Sequence, residues 1–333
     1  MAYPKPLSEK TLLKQYAQAG INDATKDFLH QFFSACVNVY GGIAIRDMWD
    51  VYKNLKEPAL MIRKKDLLSF SAIVRREKQP YRVYEIEELY EEEPHSDWDR
   101  HVISSDIVLS GQRKFMWFYH LADNVYNHTY YVPEDFLSYA SEKRTPEENA
   151  LFGFLCGLKS TADECVPKYG KNIIPNENKG KRLDEYSFLN SDDRFEVKWL
   201  QKRPALLAEF LEEMSCTEAE KIFRRFKRHE NIGLFPMTKL IEFMTDELHE
   251  TGVQLKEKEL QELLRLITES HNNNRLWCIG GWRPVDLATQ SMRQRPPAIS
   301  FGPRMQRAFE EGAIDKAELI SKMKEMGFGV IDD

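Results

Sequence analysis

GGIAIRDMWDVYKNLKEPALMIRKKDLLSFSAIVRREKQPYRVYEIE, residues 41–87, is the stretch on which the fold turns. Ile43-Ala44-Ile45 is short and β-prone, and Asp47 is a candidate cap for a helix presenting Met48, Trp49, Val51, Tyr52 and Leu55. A loop around Pro58 leads to a second helix, from about Lys65 to Lys78, with Leu67, Phe70 and Val74 on one face. Pro80 has no N–H to donate and stops it. Beyond it, Tyr81 to Ile86 alternates apolar and polar like a strand, and Val102 to Leu109 is a second β-like run after an acidic loop.

Upstream, Leu12, Leu13 and Tyr16 mark a short helix ending near Gly20. Phe28, Leu29, Phe32, Phe33, Cys36, Val37 and Tyr40 recur at helical spacing up to a glycine stop at Gly41-Gly42. The order helix, short strand, helix, helix, strand, loop, strand is that of a winged-helix module, with two crossing helices beside a two-stranded wing. The alternative is a helical domain with an incidental hairpin.

Downstream, Asn127 to Val132 reads as a strand and Pro133 to Tyr139 as a helix start. Thr145-Pro146-Glu147-Glu148 opens a helix carrying Leu151, Phe152, Leu155 and Leu158. Pro167 to about Ser191, rich in glycine, proline and asparagine, reads as a long exposed loop. From Pro204 on, four helices follow, and a last one is started by Asp315 with Glu318 and stopped by Gly327. The expected class is mainly α with minor β: a winged-helix-like domain over 1–112, a helical connecting region over 113–200, and a helical C-terminal domain over 201–333.

Composition limits the function. The 333 residues are 42% hydrophobic and 12% aromatic, enough for real cores, and the 30% charged residues nearly balance at −6. That excludes a disordered chain. No window approaches a membrane span, and the start of the chain lacks the apolar run of a signal peptide, so a cytosolic protein without a membrane partner is expected. The five scattered cysteines contain no C-x-x-C pair, which points to buried free thiols.

Candidate chemistry is sparse. His95, Asp97, Asp99 and His101 alternate and would share one side of an extended chain, as a weak metal site requires, against the simpler reading of a polar loop. Asp184, Glu196 and Lys198 match an acid followed by E-x-K, which on a strand positions a divalent ion and a water. His120, Asp123 and His128 are close only in sequence. There is no P-loop, dinucleotide fingerprint, nucleophile elbow or H-E-x-x-H. No cofactor is expected.

The most distinctive stretch runs from His271 to Leu287, where Arg275, Trp277, Trp282 and Arg283 are candidates for binding a partner through guanidinium groups beside aromatic faces, or for interhelical packing. Asn273-Asn274-Arg275-Leu276-Trp277-Cys278 with Gly281-Trp282-Arg283-Pro284-Val285-Asp286-Leu287, then Ser300-Phe301-Gly302-Pro303 and the closing Gly327-Phe328-Gly329-Val330-Ile331, resembles uncharacterised bacterial proteins that often carry a terminal SEC-C zinc-binding motif. Val39-Tyr40-Gly41-Gly42-Ile43 and the stretch from Tyr81 to Tyr90 are similar to their N-terminal part. The cysteine-rich motif does not occur here, so the resemblance implies neither zinc nor catalytic residues.

Charge separates the function classes. On the second helix and its exit, Lys64, Lys65, Arg75, Arg76, Lys78 and Arg82 face only Asp66 and Glu77; on the wing, Glu85, Glu87, Glu88, Glu91, Glu92, Glu93, Asp97, Asp99 and Asp106 face only Arg100. A wing this acidic repels phosphates. The expectation is therefore a non-catalytic regulatory or adaptor protein acting through another protein. The alternatives are a winged-helix nucleic-acid-binding regulator using Lys64, Lys65, Arg75, Arg76 and Lys78, or a metal-dependent hydrolase or nuclease.

Overall fold

The computed structural model describes residues 3–56, 60–90, 96–109, 114–125, 128–141, 143–165, 173–189, 191–202, 204–294, 298–300, 305, 309, 314–325 and 329–331. With 61% helix and 6% strand, the chain is mainly helical with a small sheet. It divides into two compact units, Met1–Arg283 and Pro284–Asp333.

The first unit begins with α1 (Glu9–Ala19), α2 (Asp23–Tyr40), β1 (Gly42–Ala44), α3 (Ile45–Lys53), α4 (Lys64–Val74), β2 (Tyr81–Tyr84), α5 (Ile86–Tyr90), a 3-10 turn at Asp97–Asp99 and β3 (His101–Ser104). The Asn22 side chain caps α2 by accepting from Thr25 N at 2.8 Å. The apolar stripe of α2 faces inward, where Phe32 and Phe33 are fully buried with Phe70 of α4. Burying each such ring contributes roughly 1.5–3 kcal/mol. Gly41 ends the helix at φ +69°, so the chain turns at once into β1.

The sheet runs β1-β3-β2 with both pairings antiparallel; Gly42 faces Ile103 on one side of the central strand and Tyr81 faces Ser104 on the other. Two local expectations shift. Asp47 lies inside the first turn of α3, whose N-cap is Ala44. And α4 ends at Val74, before the expected Lys78, because Glu77 N bonds Val74 O in a closing turn. Its start is fixed by Asp66, which accepts from Arg63 N at 2.9 Å and from the guanidinium at 2.8 Å. Arg63 thereby holds the Asp66 carboxyl below the usual range.

Residues 128–133 form no strand; a 3-10 turn at Phe136–Ala140 follows and seats Phe136 against Phe32 and Tyr40, each at 5.9 Å. The rest of the unit comprises α6 (Met116–Val125), α7 (Pro146–Gly157), a two-residue ladder of β4 (Glu164–Cys165) with β5 (Ile174–Pro175), and α8 (Ser191–Leu200), α9 (Pro204–Glu213), α10 (Glu218–Asn231), α11 (Met237–Glu250) and α12 (Glu257–Asn273). At the expected helix start, Thr145 and Glu148 close a capping box on α7.

One reading is corrected here. The E-x-K stretch lies on helix α8, so Glu196 and Lys198 do not share a strand face. Of the expected exposed loop, residues 167–172 and 190 lie outside the described residues; most of 173–189 is exposed or half-buried, with Ile173 57% exposed, while Leu183 and Tyr186 are buried and anchor it. The Asn176 amide donates to Ser160 Oγ and Ala162 O, and Ser160 Oγ donates to Thr251 O. Side-chain bonds to backbone hold this segment where apolar periodicity is missing.

Three apolar clusters result. One lies among α1–α4 and the sheet, the second among α7 and α10–α12, and the third joins Tyr84, Ile103, Phe118 and Leu121 to Ile232, Leu276, Trp277 and Cys278. All five cysteines are free, and Cys36, Cys165 and Cys278 are buried. Among the described residues no helix is long and apolar enough to cross a membrane.

The second unit holds α13 (Pro284–Gln294), β6 (Ala298–Ser300), α14 (Lys316–Glu325) and β7 (Gly329–Ile331), with β6 and β7 parallel. Asp315 caps α14 by accepting from Ala317 N and Glu318 N, while Glu318 pairs with Lys322. The expected stop at Gly327 lies outside the described residues.

Candidate functional site: the open face of α4

The helical period divides α4 into two faces. Asp66, Leu67, Phe70, Ser71, Ile73 and Val74 are buried, with Phe70 edge-on to Phe33 at 4.8 Å. Lys65, Ala72 and Arg76 are exposed, and Leu68 and Ser69 half-buried. On the helix the open face runs from Lys65 to Ala72, about two turns or 11 Å, and carries no carboxylate; Arg76 is exposed in the closing turn just past the helix end. Lys64, at its N-terminal edge, holds its ammonium 5.8 Å from the Trp49 ring and 5.5 Å from the Trp98 ring. Lys78 is exposed beyond the C-terminal end.

Of the nine acids counted on the β2–β3 connection, four, Glu85, Glu88, Asp97 and Asp99, are paired. Arg75 bonds Glu85 at 2.7 Å and Glu88 at 2.8 Å. Arg100 bonds Glu85 at 2.8 Å and Asp97 at 2.6 Å and donates to Ser71 Oγ at 3.3 Å. Arg46 pairs with Asp99. At the end of α4, Glu77 accepts from Tyr16 and Gln79 and lies 3.4 Å from His30. Pairing leaves the net charge unchanged but removes these carboxylates as free repulsive centres near α4. It also takes Arg75, whose side chain is only 13% exposed, out of the set available to a phosphate. Glu91, Glu92 and Glu93 lie outside the described residues.

The described members of the weak metal set do not assemble. His95 lies outside the described residues, and Asp97 and Asp99 sit in one 3-10 turn instead of an extended run, with arginine partners. His101 turns Nδ1 to Asp99 O at 2.9 Å and its ring to Phe118, and burial lowers its pKa. Among the described residues no three His, Cys, Asp or Glu side chains are grouped to hold a metal ion. Asp184 bonds Arg182, and His120 and Asp123 are exposed on α6.

The C-terminal aromatic residues close the unit on itself. Arg275 lies 4.7 Å from the Tyr131 ring and donates to Tyr139 Oη at 2.9 Å and Gly281 O at 3.2 Å. Trp277 is 7% exposed and donates Nε1 to Asn38 O at 2.9 Å. Trp282 donates to Thr129 O and rests on Tyr131; Arg283 is also partnered. These side chains serve packing between distant segments.

Two polar clusters went unread in the sequence because their members are far apart in it. In the helical core, Lys227 bonds Glu148 at 2.9 Å and Glu230 at 2.5 Å, and His271 Nδ1 lies 3.3 Å from Glu230. Burial alone would raise the Glu230 pKa, but Lys227 and His271 hold it below the usual range. The second cluster surrounds Tyr84 and includes Arg82 and Lys114; its only sequence signal is a lysine opening an aromatic run. Comparison with protein-family models, curated proteins and solved structures yields no match, so the chemistry of these residues carries the functional argument.

Proposed function

We propose that the first unit contains a winged-helix module and that the protein is a cytosolic nucleic-acid-binding regulator, laying the open face of α4 along duplex DNA. The order α2, β1, α3, α4, β2, connection, β3, with a β1-β3-β2 sheet, supports the winged-helix reading. The observation that carries the function is the α4 face itself: Lys65 in its first turn and Arg76 in the closing turn past its end, Ser69 and Ala72 between them, and no exposed acid. Small central residues allow close approach to base edges while terminal cations reach phosphates on either side.

A second reading, an adaptor for another protein, is favoured by Met61, 81% exposed at the turn before α4, and by the net charge of −6. Fluorescence anisotropy of the full chain on a labelled duplex separates the two. The full chain is needed because Phe136 and Trp277 complete the clusters around α2 and the sheet. On the nucleic-acid reading, affinity falls with salt, and Lys65→Ala plus Arg76→Ala lowers the slope of log K against log [salt] by about 2, near 0.9 per lost phosphate contact. Affinity and slope unchanged by the double substitution remove this reading in favour of the adaptor.

A further inference from the structure

Beside β2, three aromatic rings carry two cations that have no acid of their own. Tyr84 is 0% exposed, packs 5.1 Å from Tyr3 and 4.9 Å from Phe115, and its hydroxyl is buried without a hydrogen-bond partner. Lys114 holds its ammonium 4.5 Å from the centres of both the Tyr84 and Phe115 rings. Arg82 lies 5.3 Å from the centre of the Tyr3 ring, close enough to the Tyr84 phenol to oppose the burial that pushes its pKa up to about 12. Glu88, the carboxylate whose charge acts on both Tyr84 and Lys114, is already bound by Arg75 and by Glu85 N.

Ring faces attract cations but do not neutralise them; a cation–π contact contributes only about 0.5–2 kcal/mol. Two like charges and an unsatisfied phenol, all partly withdrawn from water, are an arrangement that an anion completes. Lys114 registers this strain. Its pKa is lowered by burial first, and then by Arg82 and Arg75 against the opposing pull of Glu88.

We infer that Arg82, Lys114 and the Tyr84 hydroxyl form an anion-binding site that takes a phosphate group. The guanidinium supplies a planar pair of donors for two phosphate oxygens, the ammonium a point charge and the phenol a further donor. Tyr3 and Phe115 wall the site and favour a phosphate monoester or diester over a hydrated halide. The site is separate from the open face of α4 and does not depend on duplex binding there.

The test titrates the full chain with inorganic phosphate, against sodium chloride of equal ionic strength, by calorimetry, and with a labelled duplex by anisotropy. Arg82→Met and Lys114→Met each remove a charge without breaking an ion pair and keep an apolar stem; Lys114→Arg restores the charge. The expected result is that each methionine variant weakens phosphate or duplex binding at least tenfold, and that Lys114→Arg recovers most of it. In phosphate-free buffer, Lys114→Met also unfolds at a higher urea concentration than the parent, because repulsion with Arg82 is relieved. Loss confined to the duplex assigns the phosphate to a nucleic-acid backbone, and loss with inorganic phosphate to a free ester. Both probes binding the methionine variants within twofold of the parent, or neither binding the parent beyond the chloride control, overturns the site.

Discussion

Replacing Gly41 by alanine tests the close approach of the end of α2 to the Trp277 ring. A Cβ at Gly41 would sit 2.3 Å from Trp277 Cε3, 2.4 Å from Cδ2 and 2.9 Å from Cγ, all ring atoms of a side chain 7% exposed and bonded to Asn38 O. The indole cannot swing away without giving up that bond and its place against Leu276 and Cys278. Two terms add: alanine at φ +69°, ψ −39°, at positive φ but outside the αL well that Gly20 occupies, costs at least about 1–2 kcal/mol, and overpacking a filled site costs about 1–3 kcal/mol. The expected loss is therefore about 2–5 kcal/mol. Gly20→Ala is the control, since Gly20 has φ +72° but nothing within 4 Å of the added methyl; it should lose only about 1–2 kcal/mol. Urea unfolding at constant m-value measures both. A cycle with Trp277→Leu isolates the clash, and the double variant should be about 1–3 kcal/mol more stable than the sum of the singles. Gly41→Ala within about 0.5 kcal/mol of Gly20→Ala, and no coupling to position 277, would refute the steric argument.

Two further outcomes are expected. Because the folded pKa of Glu230 lies below its unfolded value near 4.5, its stabilisation is fully present above that pH and disappears as pH falls through the lower folded pKa. Glu230→Gln should thus lose about 1–3 kcal/mol at pH 7 by taking one of two carboxylates from buried Lys227, which keeps Glu148, with the gap to the parent narrowing below about pH 4; a gap constant from pH 7 to 3 contradicts the linkage. Arg75 and Arg76, adjacent in sequence, should behave oppositely: Arg75→Ala destabilises by about 1–3 kcal/mol, as expected for removing one partner of a partly buried network, and leaves the salt slope of duplex binding unchanged. Arg76→Ala leaves stability within about 0.5 kcal/mol and lowers the slope by about 1. Equal effects on both measurements would void the division of α4 into a paired and an open side.

The amino-acid order by itself determined what neighbours in the chain decide. The stripe from Phe28 to Tyr40, the stops at Gly20 and Gly41, the helix start at Thr145, the cap at Asp315 and the strand after Pro80 formed near their expected positions, and the run expected over 102–109 is a strand only to Ser104. Each depends on periodicity or on a hydrogen bond spanning about one turn. Residues 195–199 alternate apolar and charged yet are helical on α8, with Phe195 68% exposed, because a short alternating run does not fix which backbone form its surroundings favour. The charge argument depended still more on tertiary structure. A count along the chain makes the β2–β3 connection repulsive, whereas Arg46, Arg75 and Arg100 come from three elements to pair four of its carboxylates, and Arg82 and Lys114 are left around Tyr84 without one. Coulomb energy depends on separation and burial, and neither is set by position in the sequence.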